Sequence, residues 1–129
     1  MQFLTKESLT NLPPVKIERV EIPELDSFCF VREMSSAQKD AFEDSTMFID
    51  GKGQVQKRME NYRAKFLVQT ICDEQGNLVF TMGDLPALGQ LPASVAVKMF
   101  SAAQRINGMT VEEAEKNSGS DQDASSSSN

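Results

Sequence analysis

Histidine and tryptophan are both missing from this 129-residue chain. Without histidine there is no Ser-His or Cys-His nucleophile pair, no imidazole acid–base catalyst and no histidine-held metal. Cysteine is scarce. Cys29 and Cys72 stand alone, without C-x-x-C spacing, and read as small apolar fillers in a reducing compartment, a disulfide between them being the alternative. Positive charge is short: 13 Lys and Arg face 19 Asp and Glu, for a net charge of −6. A non-specific nucleic-acid binder needs a basic face to displace counterions, so no nucleic-acid partner is expected. No apolar run approaches the length of a membrane span. The opening stretch MQFLTKESLTNLPP lacks the basic and apolar regions of a signal peptide, and the expectation is a soluble cytosolic protein without membrane contact.

What is present predicts an α+β fold, mainly α-helical. A β-hairpin comes first, three to four helices come after it, and a disordered tail closes the chain. Residues 1–14 form an N-terminal segment in which Thr5 caps a short helix carrying Leu4 and Leu9, ended by Pro13 and Pro14. A single domain spans residues 15–117 and opens on a hairpin over 15–34. Val15, Ile17, Val20 and Ile22 suit its first strand, with a bulge where the alternation slips near Arg19. In the second strand Phe28 and Phe30 share one face, and Cys29 and Val31 the other.

Four helices are expected, over about 36–48, 54–73, 84–89 and 92–107. The first has a capping box, Ser35 with Gln38, and a face of Ala37, Ala41 and Phe42. Asp50-Gly51-Lys52-Gly53 is a loop. The longest helix rests on the spacing of Val55, Met59, Tyr62 and Phe66, with Gly76 as its stop. The rival reading makes FLVQTICDEQGNLVF a second hairpin turning at Gln75-Gly76-Asn77. Asp84 caps the third helix. The last begins near Pro92, carries the stripes Val95-Met99-Ala102-Ile106 and Ala96-Phe100-Ala103, and stops at Asn107-Gly108. Val111 to Asn117 can extend a helix a little. Residues 118–129, SGSDQDASSSSN, have no side chain able to offset the entropy of ordering them and are expected to be disordered.

The candidate chemistry is thin. Carboxylate pairs such as Glu24 with Asp26 and Glu112 with Glu113 are close in sequence and suit a solvated surface better than a cation site. Gly51-Lys52-Gly53 lacks the spacing of a phosphate loop. No catalytic residue, cofactor or metal is assigned. Lys57, Arg58 and Lys65 form a basic strip, read either as the wet side of the long helix or as an electrostatic docking strip for an acidic partner. The last helix is apolar over more of its circumference than a surface helix needs, which fits a core helix or a shared interface. Methionines spread over nearly every element add flexible apolar contacts.

Four motifs stand in order: VRE-x-S at 31–35, DE-x-GN-x-x-F at 73–80, D-L-x-x-L-G-x-L-P at 84–92 and AA-x-R-x-NG at 102–108. In this the chain resembles the tail assembly chaperones of long-tailed (siphovirus-type) bacteriophages. The resemblance implies a non-catalytic, self-associating protein that binds and solubilises the tape measure protein, with the tail-tube protein as a further partner. It implies action in the host bacterial cytoplasm and absence from the mature virion. It also implies a longer form made by ribosomal frameshifting, and Glu115-Lys116-Asn117 is compatible with a slippery codon run. A structural or adaptor protein retained in the tail is the alternative. The expected contact surface, for a client or a second copy, comprises Leu85, Leu88, Leu91, Val95, Met99 and Phe100.

Overall fold

The computed structural model describes residues 1–109. The expected extension over 111–117, the serine-rich tail and the proposed slippery site lie outside the described residues.

The first hairpin forms where it is expected. β1 (Ile17–Ile22) pairs antiparallel with β2 (Ser27–Arg32), joined by a short 3-10 turn over Pro23–Leu25 with Asp26 in the left-handed region. Pairing runs without interruption from Ile17 opposite Arg32 to Ile22 opposite Ser27, so the expected bulge is absent. The slip in alternation has another cause. Val20 and Ile22 face the core, whereas Ile17 points to the opposite side. There a Cβ on Gly76 would stand 3.4 Å from Ile17 Cδ1 and 3.5 Å from Val15 Cγ2. Apolar residues of both phases are therefore in use. Phe28 is exposed and Val31 is fully buried, consistent with the predicted split of β2.

The expected helix over 54–73 is three separate pieces. β3 (Met47–Ile49) and β4 (Val55–Lys57) make a second hairpin. α3 (Tyr62–Val68) is the only helical part, entered through Asn61 at φ 56°. β5 (Ile71–Cys72) then joins β2, with Val31 opposite Ile71, to give a three-stranded sheet ordered β1-β2-β5. Cys72 also bridges Leu78, so the rival hairpin reading holds from residue 71 onward.

Two copies of one turn cause these breaks. In Asp50-Gly51-Lys52-Gly53-Gln54, the Asp50 carboxylate accepts from the Lys52 and Gln54 amides, both at 2.9 Å. Gly53 adopts φ 80° and donates to the Asp50 carbonyl. In Asp73-Glu74-Gln75-Gly76-Asn77, Asp73 accepts from the Gln75 and Asn77 amides, both at 2.9 Å, and Gly76 sits at φ 88°. Each side-chain oxygen offers the backbone an alternative to the helix, and each glycine supplies the positive φ that closes the loop. Periodicity in the apolar residues does not overcome this. Val55 pairs with Ile49 in a strand, while Tyr62 and Phe66 turn inward on α3.

The other expectations hold with adjusted ends. α1 (Lys6–Thr10) is capped by Thr5 with Ser8 in reciprocal hydrogen bonds. α2 (Ser36–Ser45) carries the Ser35–Gln38 capping box, but Ala37 and Ala41 are exposed and only Phe42 is buried. Asp84 does not cap α4 (Leu85–Leu88); its carboxylate accepts from the Thr81 amide at 2.8 Å, closing a 3-10 turn over Met82–Asp84. α5 (Ala93–Ile106) begins directly after Pro92 and ends at Asn107, with Gly108 at φ 72°.

The core lies between α5, α3 and the inner face of the sheet. Val31, Phe66, Leu67, Val95 and Ala103 are essentially sealed from solvent. Phe42, Tyr62, Phe66 and Phe100 add a chain of edge-to-face rings with centroids 5.0–5.9 Å apart. Two ion pairs, Arg105–Glu18 at 2.7 Å and Lys98–Glu24 at 3.0 Å, set α5 against the hairpin, although their exposure keeps each weak.

The polar clip at the end of α5 is stronger. Asn107 Oδ1 accepts from the Met34 amide at 2.8 Å, and its Nδ2 donates to Ala103 O at 2.8 Å and Arg32 O at 3.3 Å. Asn107→Ala leaves the Met34 amide without that acceptor and is expected to cost about 2 kcal/mol, read from urea unfolding. The Asp turns predict an acid dependence. Backbone hydrogen bonds from Gln54 and Asn77 hold Asp50 and Asp73 below the ordinary carboxylate range. Their contribution is present above the ordinary value of 3.8 and is lost as pH falls through the lowered folded values. The urea midpoint of Asp73→Asn should therefore fall less steeply than wild type below that pH.

Candidate interaction surface

The residues expected to make the contact surface divide between core and margin. Val95, Met99 and Leu88 are buried in the chain's own interior. Val95 and Met99 lie against the sheet, and Leu88 closes a satellite cluster with Ala64 and Val68. Their breadth of apolar coverage on α5 serves the fold, since the helix is packed by the sheet on one side and α3 on another. Leu85, Leu91 and Phe100 are half-buried at the edges of these clusters. Arg63 stands over the Phe100 ring at 5.6 Å, and Tyr62 and Phe66 meet its edge. The contact set is not one exposed face.

The expected docking strip is likewise not a strip. Lys57 and Arg58 belong to the second hairpin and its exit, whereas Lys65 is on α3. Lys65 is buried and donates from Nζ to the Ser45 carbonyl at 2.8 Å, fastening α3 to the end of α2. Arg58 lies 4.7 Å from the Phe48 ring centroid. Seven-residue spacing implied one face only while residues 54–73 were a single helix.

The exposed apolar surface lies elsewhere. Every residue of β3 and β4 is exposed, including Met47, Phe48, Ile49 and Val55, and Met59 comes next on the way to α3. The N-terminal segment is the second region: Met1, Phe3, Leu4, Leu9 and Leu12 are exposed, and α1 has no buried residue. On the outer face of the first hairpin Phe28 is partly covered by Arg19, whose guanidinium lies 3.7 Å from the ring centroid. A two-stranded ribbon exposing apolar side chains on both faces is unusual for a free surface. The sequence signal for it was the Asp50–Gly53 turn set between the β-formers Phe48-Ile49 and Val55.

Between α2 and this ribbon runs a groove of about 290 Å³, lined by Met47, Met59, Tyr62 and Met109 together with the charged Lys39, Glu43 and Lys57. Among the described residues no cluster of three or more acidic or cysteine side chains is placed to hold a metal. Nor is any helix there long and apolar enough to cross a membrane.

The cysteines are free thiols. Burial pushes Cys29 up to about 11 and raises Cys72 as well. A rise from 9.0 to about 11 lowers the thiolate fraction at neutral pH by about a hundredfold. Cys29 should react with an aromatic disulfide reagent at pH 8 about a hundredfold more slowly than in urea-unfolded protein.

No family model matches this chain, and no curated protein sequence does. In its fold the chain is similar to a solved bacteriophage protein. The solved structure in question is that of the bacteriophage HK97 tail assembly chaperone, similar at a TM-score of 0.52 over 71% of this chain and 85% of that chain, with 12% sequence identity. The likeness is one of fold.

Proposed function

We propose that this chain is a phage tail assembly chaperone that binds and solubilises the tape measure protein and promotes assembly of the tail tube around it. The observation that carries the reading is the likeness of the described fold to the HK97 tail assembly chaperone. The motifs read from the sequence support it through their positions. VRE-x-S joins β2 to α2, DE-x-GN-x-x-F forms the turn after β5, D-L-x-x-L-G-x-L-P leads into α5, and AA-x-R-x-NG ends it. All four sit at joints that shape the fold.

The physics suits such a role. A long helical client without its tube exposes apolar stripes, and large apolar patches aggregate. The second hairpin offers apolar side chains on a slender, solvent-facing element, with the N-terminal segment as a further apolar surface. Loose sites of this kind, repeated along a long client, act together through effective concentration. Each stays weak enough for a growing tube to displace. The reading is non-catalytic. It includes self-association, a longer frameshifted form as partner, action in the host cytoplasm and absence from the finished virion.

Co-expression with a cognate tape measure protein tests it. Wild type should bring that protein into the soluble fraction. Ile49→Lys with Val55→Lys should abolish the rescue while shifting the thermal midpoint little, because both side chains face solvent. No rescue by wild type would refute the proposal. Finding the chain in purified particles by mass spectrometry would favour a retained tail component.

A further inference from the structure

The second hairpin differs in charge from the body that carries it. The chain as a whole is acidic, with a net charge of −6. Over residues 47–58, however, the cations Lys52, Lys57 and Arg58 face a single carboxylate, Asp50. That carboxylate is turned into the loop, where it accepts from the Lys52 and Gln54 amides and from the Gln56 side chain, all at 2.9 Å. Lys57 is already engaged. Lys52, at the tip of the ribbon, and Arg58, at its base, are exposed, and among the described residues neither has an ion-pair partner. Arg58 lies 4.7 Å from the Phe48 ring centroid, a contact that leaves its N–H donors without an anionic acceptor. Between the two cations lie Ile49 and Val55, opposite one another and the most exposed apolar side chains of the ribbon.

We propose that the second hairpin takes an acidic amphipathic segment of a protein partner, its apolar residues against Ile49 and Val55 and its carboxylates toward Lys52 and Arg58. This rests on the reading of the hairpin as the client-binding element and names the chemistry of the client there. A nucleic acid or an anionic membrane offers the same sign of charge, but over a broad surface that brings the acidic body of the chain against it. A narrow peptide segment meets the ribbon and little of that body. The body in turn repels acidic partners that have no apolar stripe to hold them.

Two synthetic helical peptides with identical apolar positions test it, one with glutamate and one with lysine at every polar position. Each is titrated into the full chain at low salt and followed by the Ile49 and Val55 amide resonances. Net charge alone favours the lysine peptide, since the chain carries −6. At the ribbon the glutamate peptide should bind about tenfold more tightly, an advantage that shrinks as salt is added. Lys52→Glu with Arg58→Glu should reverse the preference. Lys52→Glu alone, at a tip where the side chain supports no other residue, should reduce it about threefold with an unchanged thermal midpoint. Equal binding of the two peptides, binding of neither, or a preference that the double variant keeps would overturn the proposal. Stronger shifts of the same resonances by vesicles of neutral and anionic phospholipid, or by a DNA duplex, would overturn it in favour of those ligands. If wild type prefers the glutamate peptide but does not solubilise the tape measure protein, the chaperone reading falls and this one stands. If Lys52→Glu with Arg58→Glu leaves that rescue intact, this one falls and the chaperone reading stands.

Discussion

The architecture hangs on a carboxylate accepting two backbone amides across a glycine at positive φ. The arrangement occurs at Asp50 and again at Asp73, with the same acceptor atom and the same spacing to the glycine. Between them lie the residues that would otherwise continue as one helix. The first turn reverses the chain so that Val55 meets Ile49. The second reverses it so that Cys72 meets Leu78 and the turn itself covers Val15 and Ile17. Each turn satisfies several amides locally and needs no tertiary partner, so it can form early and constrain the segments on either side. The helix left between them is short enough to sit inside the core, where Phe66 and Leu67 are sealed from water.

That constraint also explains what the amino-acid pattern did and did not disclose. Most signals resting on local chemistry read correctly, the Asp84 cap excepted: Thr5 and Ser35 cap their helices, Pro92 precedes α5, and Asn107-Gly108 ends it. Each needs only neighbours a few residues away. The long helix failed because apolar spacing of four, three and four fits Val55, Met59, Tyr62 and Phe66 without saying whether the backbone between them is helical. Val55 and Met59 turned out exposed, and Tyr62 and Phe66 inward-facing. The aspartate-to-glycine spacing was written twice in the chain and would have arbitrated. The supposed bulge near Arg19 failed for a related reason. A change of apolar phase signals a bulge only if one face of the strand is covered, and here the Asp73 turn covers part of the other.

The contact surface was the least legible feature, because apolar content does not distinguish a helix wanted by its own core from one wanted by a partner. α5 looked over-supplied with apolar residues. The sheet, α3 and the ring chain through Phe100 absorb nearly all of it. The basic strip dissolved for the same reason as the long helix. Lys65, the residue that made it look continuous, is spent inside, holding the Ser45 carbonyl. Its role could not be inferred from charge, since a buried lysine with one carbonyl acceptor and an exposed lysine share a sequence signature.

The second hairpin inverts the usual relation between burial and stability. It is held by its turn and three residue pairs, not by packing, and keeps its apolar side chains outside. A two-stranded ribbon alone is marginal in water. Here it is anchored at both ends, since Thr46 before it is buried and Tyr62 beyond it enters the ring chain. The body therefore loses little when the ribbon moves or is covered, and the ribbon gains from any partner that removes its apolar surface from water. An element with that balance can be occupied and vacated without unfolding its host, which a surface built from Val95 and Met99 could not.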